Sequence, residues 1–325
     1  MKHISILVPE GAILGSIEGP HKVFWEMNDF IMSMGKPALF KVQLVGLSKE
    51  VKLNDGCFSV HPEVLIKDID KTDLVIIPAF HGDMEKSLNI NKPFAPWITK
   101  QYENGAEVAS LCMGAFLLAS TGLLTGKKCA THWLAANEFR KMFPEVNLVA
   151  EKIITDENGI YSSGGAYSYL NLILYLIEKY AGREVAIFAS KVFQIEFDRG
   201  SQSPFIMFKG QKEHEDDAIR QAQEYIEKNF AEKITVDQLA KKFAVGRRNL
   251  ERRFKKATSN TVIEYIQRVK IEAAKMSLES SRDNVNEVMY NVGYIDPKAF
   301  RITFKRFTGL SPVQYRNKYN RQMVA

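Results

Sequence analysis

The chain has 325 residues, of which 46% are hydrophobic and 25% are charged, and its formal net charge is +6. This length exceeds what a single hydrophobic core usually organises, so we expect a globular protein of more than one domain. Three cysteines are too few for a disulfide-stapled scaffold, and no apolar run approaches the roughly eighteen residues that a membrane span requires.

Strands and helices alternate in the first part of the chain. Short apolar or β-branched runs at 3–8, 42–47, 74–77 and 107–111 predict strands, and helical stretches are predicted near 20–34, 92–104 and 113–121. Continuous apolar strands that alternate with helices are typical of a parallel sheet covered on both faces. The sequence therefore predicts an α/β domain.

Cys112 is the main candidate for a reactive residue in this domain, because it follows one predicted strand and opens a helix. A strand-turn-helix junction of this kind is a nucleophile elbow, at which the helix N-terminus stabilises a thiolate. His132 lies at the end of another predicted strand, and a cysteine with a histidine is the minimum for an activated nucleophile. A small buried cysteine and a hydrogen-bonded histidine are the alternative, which composition alone favours.

Apolar periodicity lapses after residue 200, which predicts a first domain over 1–200, a linker over 201–217 and a second domain over 218–325. The charge is distributed unequally along the chain. Residues 1–212 contain 22 Lys and Arg against 23 Asp and Glu, a net of −1, whereas residues 241–325 contain 19 against 7, a net of +12. Positive charge concentrated in this way indicates a domain that binds a polyanion.

The basic tail contains an internal repeat. Its apolar anchors recur at a constant offset of fifty residues, and they pair Leu250 with Phe300, Phe254 with Phe304 and Tyr265 with Tyr315. Each copy fits two short helices at a steep angle, and the anchors bury one side of the second helix. The pattern predicts an all-α domain with two helix-turn-helix units.

The opposite side of each second helix is predicted to face outward, where its side chains can bond phosphates or base edges in a major groove. A solvated helix face is the alternative, but the charge falls twice on the helix that such a motif presents. Glu251, Asp296 and Ile302 share these faces. The predicted DNA-binding residues are Arg247, Arg248, Asn249, Arg252, Lys255, Lys298, Arg301, Thr303 and Lys305.

Over residues 218–319 the tail resembles the AraC/XylS family of bacterial transcription regulators. The resemblance rests, in order, on Gly293-Tyr294, Phe300, Phe304-Lys-Arg-Phe307, Gly309-Leu-Ser-Pro312 and Tyr315-Arg316. It implies two helix-turn-helix units that are joined by a long helix near 261–279. These units would enter successive major-groove turns on one face of double-stranded DNA.

Residues 1–195 resemble the PfpI-type, class I glutamine amidotransferase-like domain, which implies a flavodoxin-like parallel-sheet sandwich. The matching phrases include Leu7-Val-Pro-Glu-Gly11, Ala109-Ser-Leu-Cys-Met-Gly114, Ala130-Thr-His-Trp133 and Ser162-Ser-Gly-Gly165. The order of the two domains resembles the GlxA-like subgroup of regulators. By position, Cys112 and His132 fill the nucleophile and histidine slots. Ser16 stands in the acidic slot with Glu18 nearby, and Ala79 stands in the turn that would bind an oxyanion.

We therefore expect a sequence-specific transcription regulator whose amidotransferase-like half senses a small ligand, forms a dimer, or does both. We expect no enzyme, since the acid and the oxyanion turn are altered; a Cys-dependent amidohydrolase or lyase with a DNA-binding tail is the alternative. The expected partners are operator DNA, an unidentified effector and a second copy of the chain, with RNA polymerase as a further candidate. No cofactor, metal or membrane is expected, and the cysteine count suits a reducing cytoplasm.

Overall fold

The computed structural model describes residues 1–197 and 200–320. The chain divides into two compact units, Met1–Gln202 and Ser203–Ala325. The first unit combines strands and helices, and the second is helical over its described residues.

The first unit is centred on a sheet of mostly parallel strands. Its strands are β1 (Lys2–Val8), β2 (Phe40–Gly46), β3 (Val51–Leu53), β4 (Phe58–Val60), β5 (Val64–Leu65), β6 (Leu74–Ile77), β7 (Glu107–Leu111), β8 (Lys128–Cys129), β9 (Asn147–Leu148), β10 (Ile154–Glu157) and β11 (Ile160–Ser163). The central sheet has the order β10-β11-β7-β6-β1-β2-β5. Only the edge pair β10–β11 of this described sheet is antiparallel. The remaining strands form the small pairs β3–β4 and β8–β9.

Both faces of this sheet are buried. Successive residues of a strand point to opposite sides, so a single strand contributes to both cores. In β1, Ile4 and Ile6 belong to one hydrophobic core and Leu7 belongs to the other. The helices of this unit are α1 (Gly15–Ser33), α2 (Met84–Asn91), α3 (Phe94–Glu103), α4 (Ala115–Ser120), α5 (Ala136–Met142), α6 (Tyr169–Ala181) and α7 (Arg183–Phe193). Helices α1, α6 and α7 cover the first face, and α2 to α5 contribute to the second core. The predicted parallel sheet covered on both faces is confirmed.

The second unit contains two small hydrophobic cores that share one long helix. Its helices are α8 (Asp217–Lys228), α9 (Val236–Lys242), α10 (Arg247–Thr258), α11 (Val262–Ser280), α12 (Val285–Asn291), α13 (Pro297–Thr308) and α14 (Pro312–Tyr319). The first half of α11 packs with α8, α9 and α10, and its second half packs with α12, α13 and α14. The two predicted helix-turn-helix units and the long helix between them are confirmed.

The fifty-residue repeat is preserved in three dimensions. Leu250, Phe254, Phe300 and Phe304 are fully buried in equivalent places of the two cores. The repeat also includes hydrogen bonds: the hydroxyl of Thr258 donates to the carbonyl of Phe254, and that of Thr308 donates to the carbonyl of Phe304, both at 2.8 Å. Each helix-turn-helix unit therefore has the same packing and the same helix ending.

Helix beginnings in the second unit are defined by side-chain caps. Thr235 and Asn284 form capping boxes at the start of α9 and α12, the first helices of the two helix-turn-helix units. Such caps satisfy backbone N–H groups that a helix end leaves unpaired. They set the first residue of each helix and hence the phase of its buried face.

The segment that precedes α8 contacts the helices of the second unit. The ring of Phe208 meets that of Tyr265 edge-on, with centroids 5.1 Å apart. The ammonium group of Lys275 donates to the carbonyl of Ile206 at 2.6 Å. The guanidinium Nε of Arg253 donates to the carboxylate of Asp216 at 2.8 Å, and the same carboxylate caps α8. Residues 206–216 are thereby held against α10 and α11.

Candidate functional site

Helix α10 presents a basic surface to solvent. Leu250 and Phe254 bury its inner side, and the predicted contact residues Arg248, Asn249, Arg252 and Lys255 are all exposed on the outer side. The guanidinium of Arg252 donates to the side-chain oxygen of Asn249 at 3.0 Å, so these two side chains lie together on the surface.

Arg247 is also exposed, but its charge is already partnered. Its guanidinium lies 3.0 Å from a carboxylate oxygen of Asp237 on α9 and 3.5 Å from one of Glu251. Two nearby carboxylates neutralise much of its field. Arg247 therefore ties α10 to α9 and is a weaker candidate for a phosphate contact than Arg248.

Helix α13 presents the equivalent surface of the second helix-turn-helix unit. Lys298, Arg301 and Lys305 are exposed, as the sequence predicts for outward side chains. Thr303 is not: it is only 8% exposed and lies beside the Tyr294 side chain. The prediction that Thr303 faces outward is wrong, because its position on α13 is turned toward the hydrophobic core with the neighbouring Phe304.

The turns that precede α10 and α13 differ in one respect. The residue in the left-handed region is Ala244 in the first helix-turn-helix unit and Gly293 in the second, with φ values of 51° and 76°. A side chain at Gly293 would place its Cβ 2.0 Å from the carbonyl oxygen of Ala231. The second turn therefore requires glycine, both for its backbone conformation and for space.

Lys270 fixes the second turn from the middle of α11. Its side chain is almost fully buried, and its ammonium group donates to the carbonyl of Gly293 at 3.0 Å and to that of Glu232 at 3.4 Å. Burial lowers the pKa of Lys270. Lys270 is not among the predicted site residues, although a lysine at an otherwise apolar position of α11 is a signal in the sequence.

In the first unit, Cys112 lies at the predicted elbow. It follows β7, begins the short 3-10 helix Cys112–Gly114 and has a φ of 53°, which is uncommon for a residue with a side chain. A Cβ at Gly114 would lie 2.6 Å from the carbonyl oxygens of Ile77 and Pro78, so the turn packs directly against the end of β6. The strand-turn-helix geometry is that of a nucleophile elbow.

The chemistry at Cys112 differs from the expectation of a stabilised thiolate. The residue is only 3% exposed, and burial raises the pKa of its thiol to about 12, although a hydrogen bond from the backbone N–H of Met113 acts in the opposite direction. At neutral pH the Cys112 side chain is therefore a protonated thiol.

His132 does not hydrogen-bond to Cys112 in the part of the chain that the structure describes. Its Nδ1 accepts from the backbone N–H of Leu134 at 3.2 Å, and burial lowers the pKa of its ring. The adjacent Thr131 provides the connection instead, since its hydroxyl donates to the backbone carbonyl of Cys112 at 3.0 Å. The two predicted pocket residues thus occupy neighbouring segments without forming a dyad.

Ser16 and Ala79 are brought together. The backbone N–H of Ala79 donates to the Ser16 hydroxyl oxygen at 3.0 Å, and that hydroxyl donates to the carbonyl of Ile13 at 2.7 Å. Ser16 is buried, whereas Glu18 lies exposed in the first turn of α1. The amide that would stabilise an oxyanion is thereby occupied by Ser16.

Gln202, the last residue of the first unit, is inserted beside this region. Its side-chain amide nitrogen lies 3.0 Å from the carbonyl oxygen of Thr131 and 2.9 Å from those of Ala150 and Lys152. A Cβ at Gly164 would approach this nitrogen to 1.9 Å, so the Ser-Gly-Gly turn leaves room for it. Its Oε1 is buried and has no hydrogen-bond donor among the described residues. Gln202 falls within the predicted linker and is not among the predicted site residues.

Over residues 1–197 and 200–320, no group of three or more His, Cys, Asp or Glu side chains is arranged to hold a metal ion. No helix in the same ranges is long and apolar enough to cross a membrane.

Comparison with known families identifies both parts of the chain. The sequence model of the DJ-1/PfpI family matches residues 19–179, and that of a helix-turn-helix domain matches residues 239–318. The first match contains Cys112 and His132, and the second contains α10 and α13.

Relatives that match most of this chain are named as regulators. The HTH-type transcriptional regulator GbdR of Pseudomonas aeruginosa is 25% identical over 265 residues, which cover 81% of this chain and 71% of GbdR. The HTH-type transcriptional regulator GlxA of Rhizobium meliloti is 23% identical over 218 residues, 66% of each chain. A crystal structure of an AraC family transcriptional regulator from Pseudomonas putida superposes with a TM-score of 0.51 at 14% identity, over 59% of this chain and 100% of that chain, which supports the fold.

Proposed function

The chain joins a DJ-1/PfpI-family domain to an AraC-type helix-turn-helix domain, and we propose that it is a transcription regulator whose first domain senses a small ligand. Residues 1–200 are assigned the sensing role, residues 218–325 bind DNA, and 201–217 connect them. One observation carries the proposal: the same buried anchors in α10 and α13 leave a row of cations outward on both helices.

The two helices provide the chemistry that duplex DNA requires. Lysine and arginine side chains contact phosphates, and arginine and asparagine can also bond purine edges in the major groove. On α10, Arg248, Asn249 and Arg252 combine both capacities. On α13, Lys298, Arg301 and Lys305 supply mainly charge. Each chain would therefore contact two successive major-groove segments on one face of its operator.

The Cys112 region is better suited to binding a ligand than to turnover. A thiol with a pKa near 12 is a weak nucleophile at neutral pH, no hydrogen bond from His132 activates it within the described structure, and Ser16 occupies the Ala79 amide. The relatives named as regulators agree with this assignment. The positive φ of Cys112 favours the alternative of a Cys-dependent amidohydrolase or lyase, and substrate screening tests it.

Gln202 offers a route from the Cys112 region to the second unit. The hydroxyl of Thr131 contacts the backbone of Cys112, the carbonyl of Thr131 contacts Gln202, and Gln202 directly precedes Ser203 in the chain. A ligand that binds one arrangement of Thr131 more tightly would shift the population of Gln202 positions. This coupling would let the first unit control the second.

The remaining partners follow from the same proposal. We place the regulator in the cytoplasm, as a homodimer formed through its first domain, with RNA polymerase as a further partner at promoters. Dimerisation would allow operators longer than the two turns that one chain contacts.

The test is recovery of genomic DNA by the purified full-length chain. We expect the bound fragments to share one sequence motif, and a variant with Arg248→Ala and Arg252→Ala to lose that motif. A matched variant at an exposed cation of the first unit, Lys36→Ala, should recover the same fragments as the parent protein. Bound fragments without a common motif would refute sequence-specific recognition.

A further inference from the structure

Helices α10 and α13 carry equivalent positions at an offset of fifty residues, so their outward faces can be compared side chain by side chain. Leu250 and Phe254 correspond to Phe300 and Phe304, and all four are buried. In this register Arg252 corresponds to Ile302. This is one of the outward positions at which the two recognition helices differ in kind, because one carries a guanidinium there and the other an aliphatic chain.

Ile302 lies on the solvent side of α13. It is 60% exposed and does not belong to the core around Phe304. It follows Lys298 by about one helical turn and precedes Lys305 by about one turn, so cations flank it on the same face. Ile295, at the N-terminal side of the same helix, is 87% exposed. An aliphatic group among phosphate-binding cations would lie against DNA when the cations bind the backbone.

The major groove presents one apolar group, the C5 methyl of thymine, whereas guanine presents two acceptors that suit arginine. We propose that Ile302 recognises a thymine methyl, and that Arg252 recognises a guanine at the equivalent place in the other half of the site. The inference rests on the proposed DNA binding and adds a base preference to it. The surrounding Lys298, Arg301 and Lys305 favour DNA over a protein as the occupant of this face.

The experiment removes one methyl group at a time. The preferred duplex of the full-length protein is selected from a random library, and each thymine is then replaced singly by deoxyuridine. Removing a methyl that packs against Ile302 should weaken binding by about three- to five-fold, which is the change in affinity that corresponds to the transfer free energy of one such group. The same replacement should have no effect on Ile302→Ala, which lacks the aliphatic contact.

Two variants sharpen the result. Ile302→Arg should change the preferred base at that position from thymine to guanine, as its counterpart Arg252 would predict. Met276→Ala, at an exposed apolar residue of α11, should leave the deoxyuridine profile unchanged.

The outcomes separate the two proposals. If the parent protein selects no sequence, sequence-specific DNA binding fails and this inference fails with it. If a motif is selected but no deoxyuridine replacement acts through Ile302, only the thymine contact is refuted. Loss of promoter activation in Ile302→Ala with unchanged DNA binding would assign the residue to a protein partner and would also overturn the inference.

Discussion

The electrostatic contribution to DNA binding can be predicted from the outward faces of α10 and α13. Carboxylates pair with Arg247, and its contribution is therefore left out. The other predicted cations are exposed and have no carboxylate partner among the described residues: Arg248, Arg252, Lys255, Lys298, Arg301 and Lys305. Each phosphate that a cation neutralises releases bound counterions, so the affinity falls as the salt concentration rises.

The magnitude follows from this set of six side chains. Each phosphate contact contributes about −0.9 to the slope of log affinity against log salt concentration, so six contacts give about −5. A four-fold increase in salt, from about 50 to 200 mM, then weakens binding by roughly 1,000-fold. Cations that bond bases in place of phosphates would reduce the slope somewhat.

Fluorescence anisotropy of a labelled duplex, titrated with the full-length protein at several salt concentrations, measures this slope. Lys255→Ala should reduce its magnitude by about 0.9 if Lys255 contacts a phosphate, and Lys36→Ala should not change it. A parent slope between 0 and about −2 would refute the assignment of both helices to the DNA surface, since one helix or fewer would then contact the backbone.

Four further predictions concern the first unit. Because burial raises the pKa of Cys112 to about 12, its alkylation by iodoacetamide should be slow at pH 8 and still accelerate above pH 10; a plateau near pH 8 would contradict this protonation state. Cys112→Ser should leave DNA binding unchanged without ligand but alter the response to effectors, whereas turnover of small amides or aldehydes that only this variant loses would establish an enzyme. Gln202→Ala should preserve the DNA affinity measured without effector, and the factor by which effector changes that affinity should become smaller, by about ten-fold at most. An unchanged response to effector would exclude Gln202 from the coupling. Residues 1–205 should sediment as a dimer at micromolar concentration, and a monomer would count against dimerisation through this part of the chain.

The helical repeat could be predicted from sequence because it is encoded by apolar spacing. Leu250, Phe254, Phe300 and Phe304 each lie four residues from a partner on the same helix, and this spacing defines an inner face without knowledge of the rest of the fold. The alternating strands of the first unit were predictable for the same reason, since Leu74–Ile77 is a continuous apolar run.

The properties of individual site residues depend on contacts that are distant in sequence. Thr303 lies against the side chain of Tyr294, which belongs to the turn before α13. The pKa of Cys112 depends on burial by the whole first unit, and no local pattern reports it. Gln202 contacts carbonyls more than fifty residues earlier, and its flanking serines resemble a linker. Local sequence patterns therefore predict where the site residues lie on helices and strands, whereas tertiary contacts determine their pKa values and hydrogen bonds.

Footprinting of the full-length protein on its selected operator tests the central claim most directly, because it records where both helices contact DNA. Methylation protection of guanines would be combined with hydroxyl-radical cleavage of the backbone. We expect two protected major-groove segments about ten base pairs apart on one face of the duplex for each bound chain. The segment that α10 contacts should lose its protection in the variant with Arg248→Ala and Arg252→Ala. A single protected segment, or protection that does not depend on sequence, would contradict the assignment of both helices to DNA.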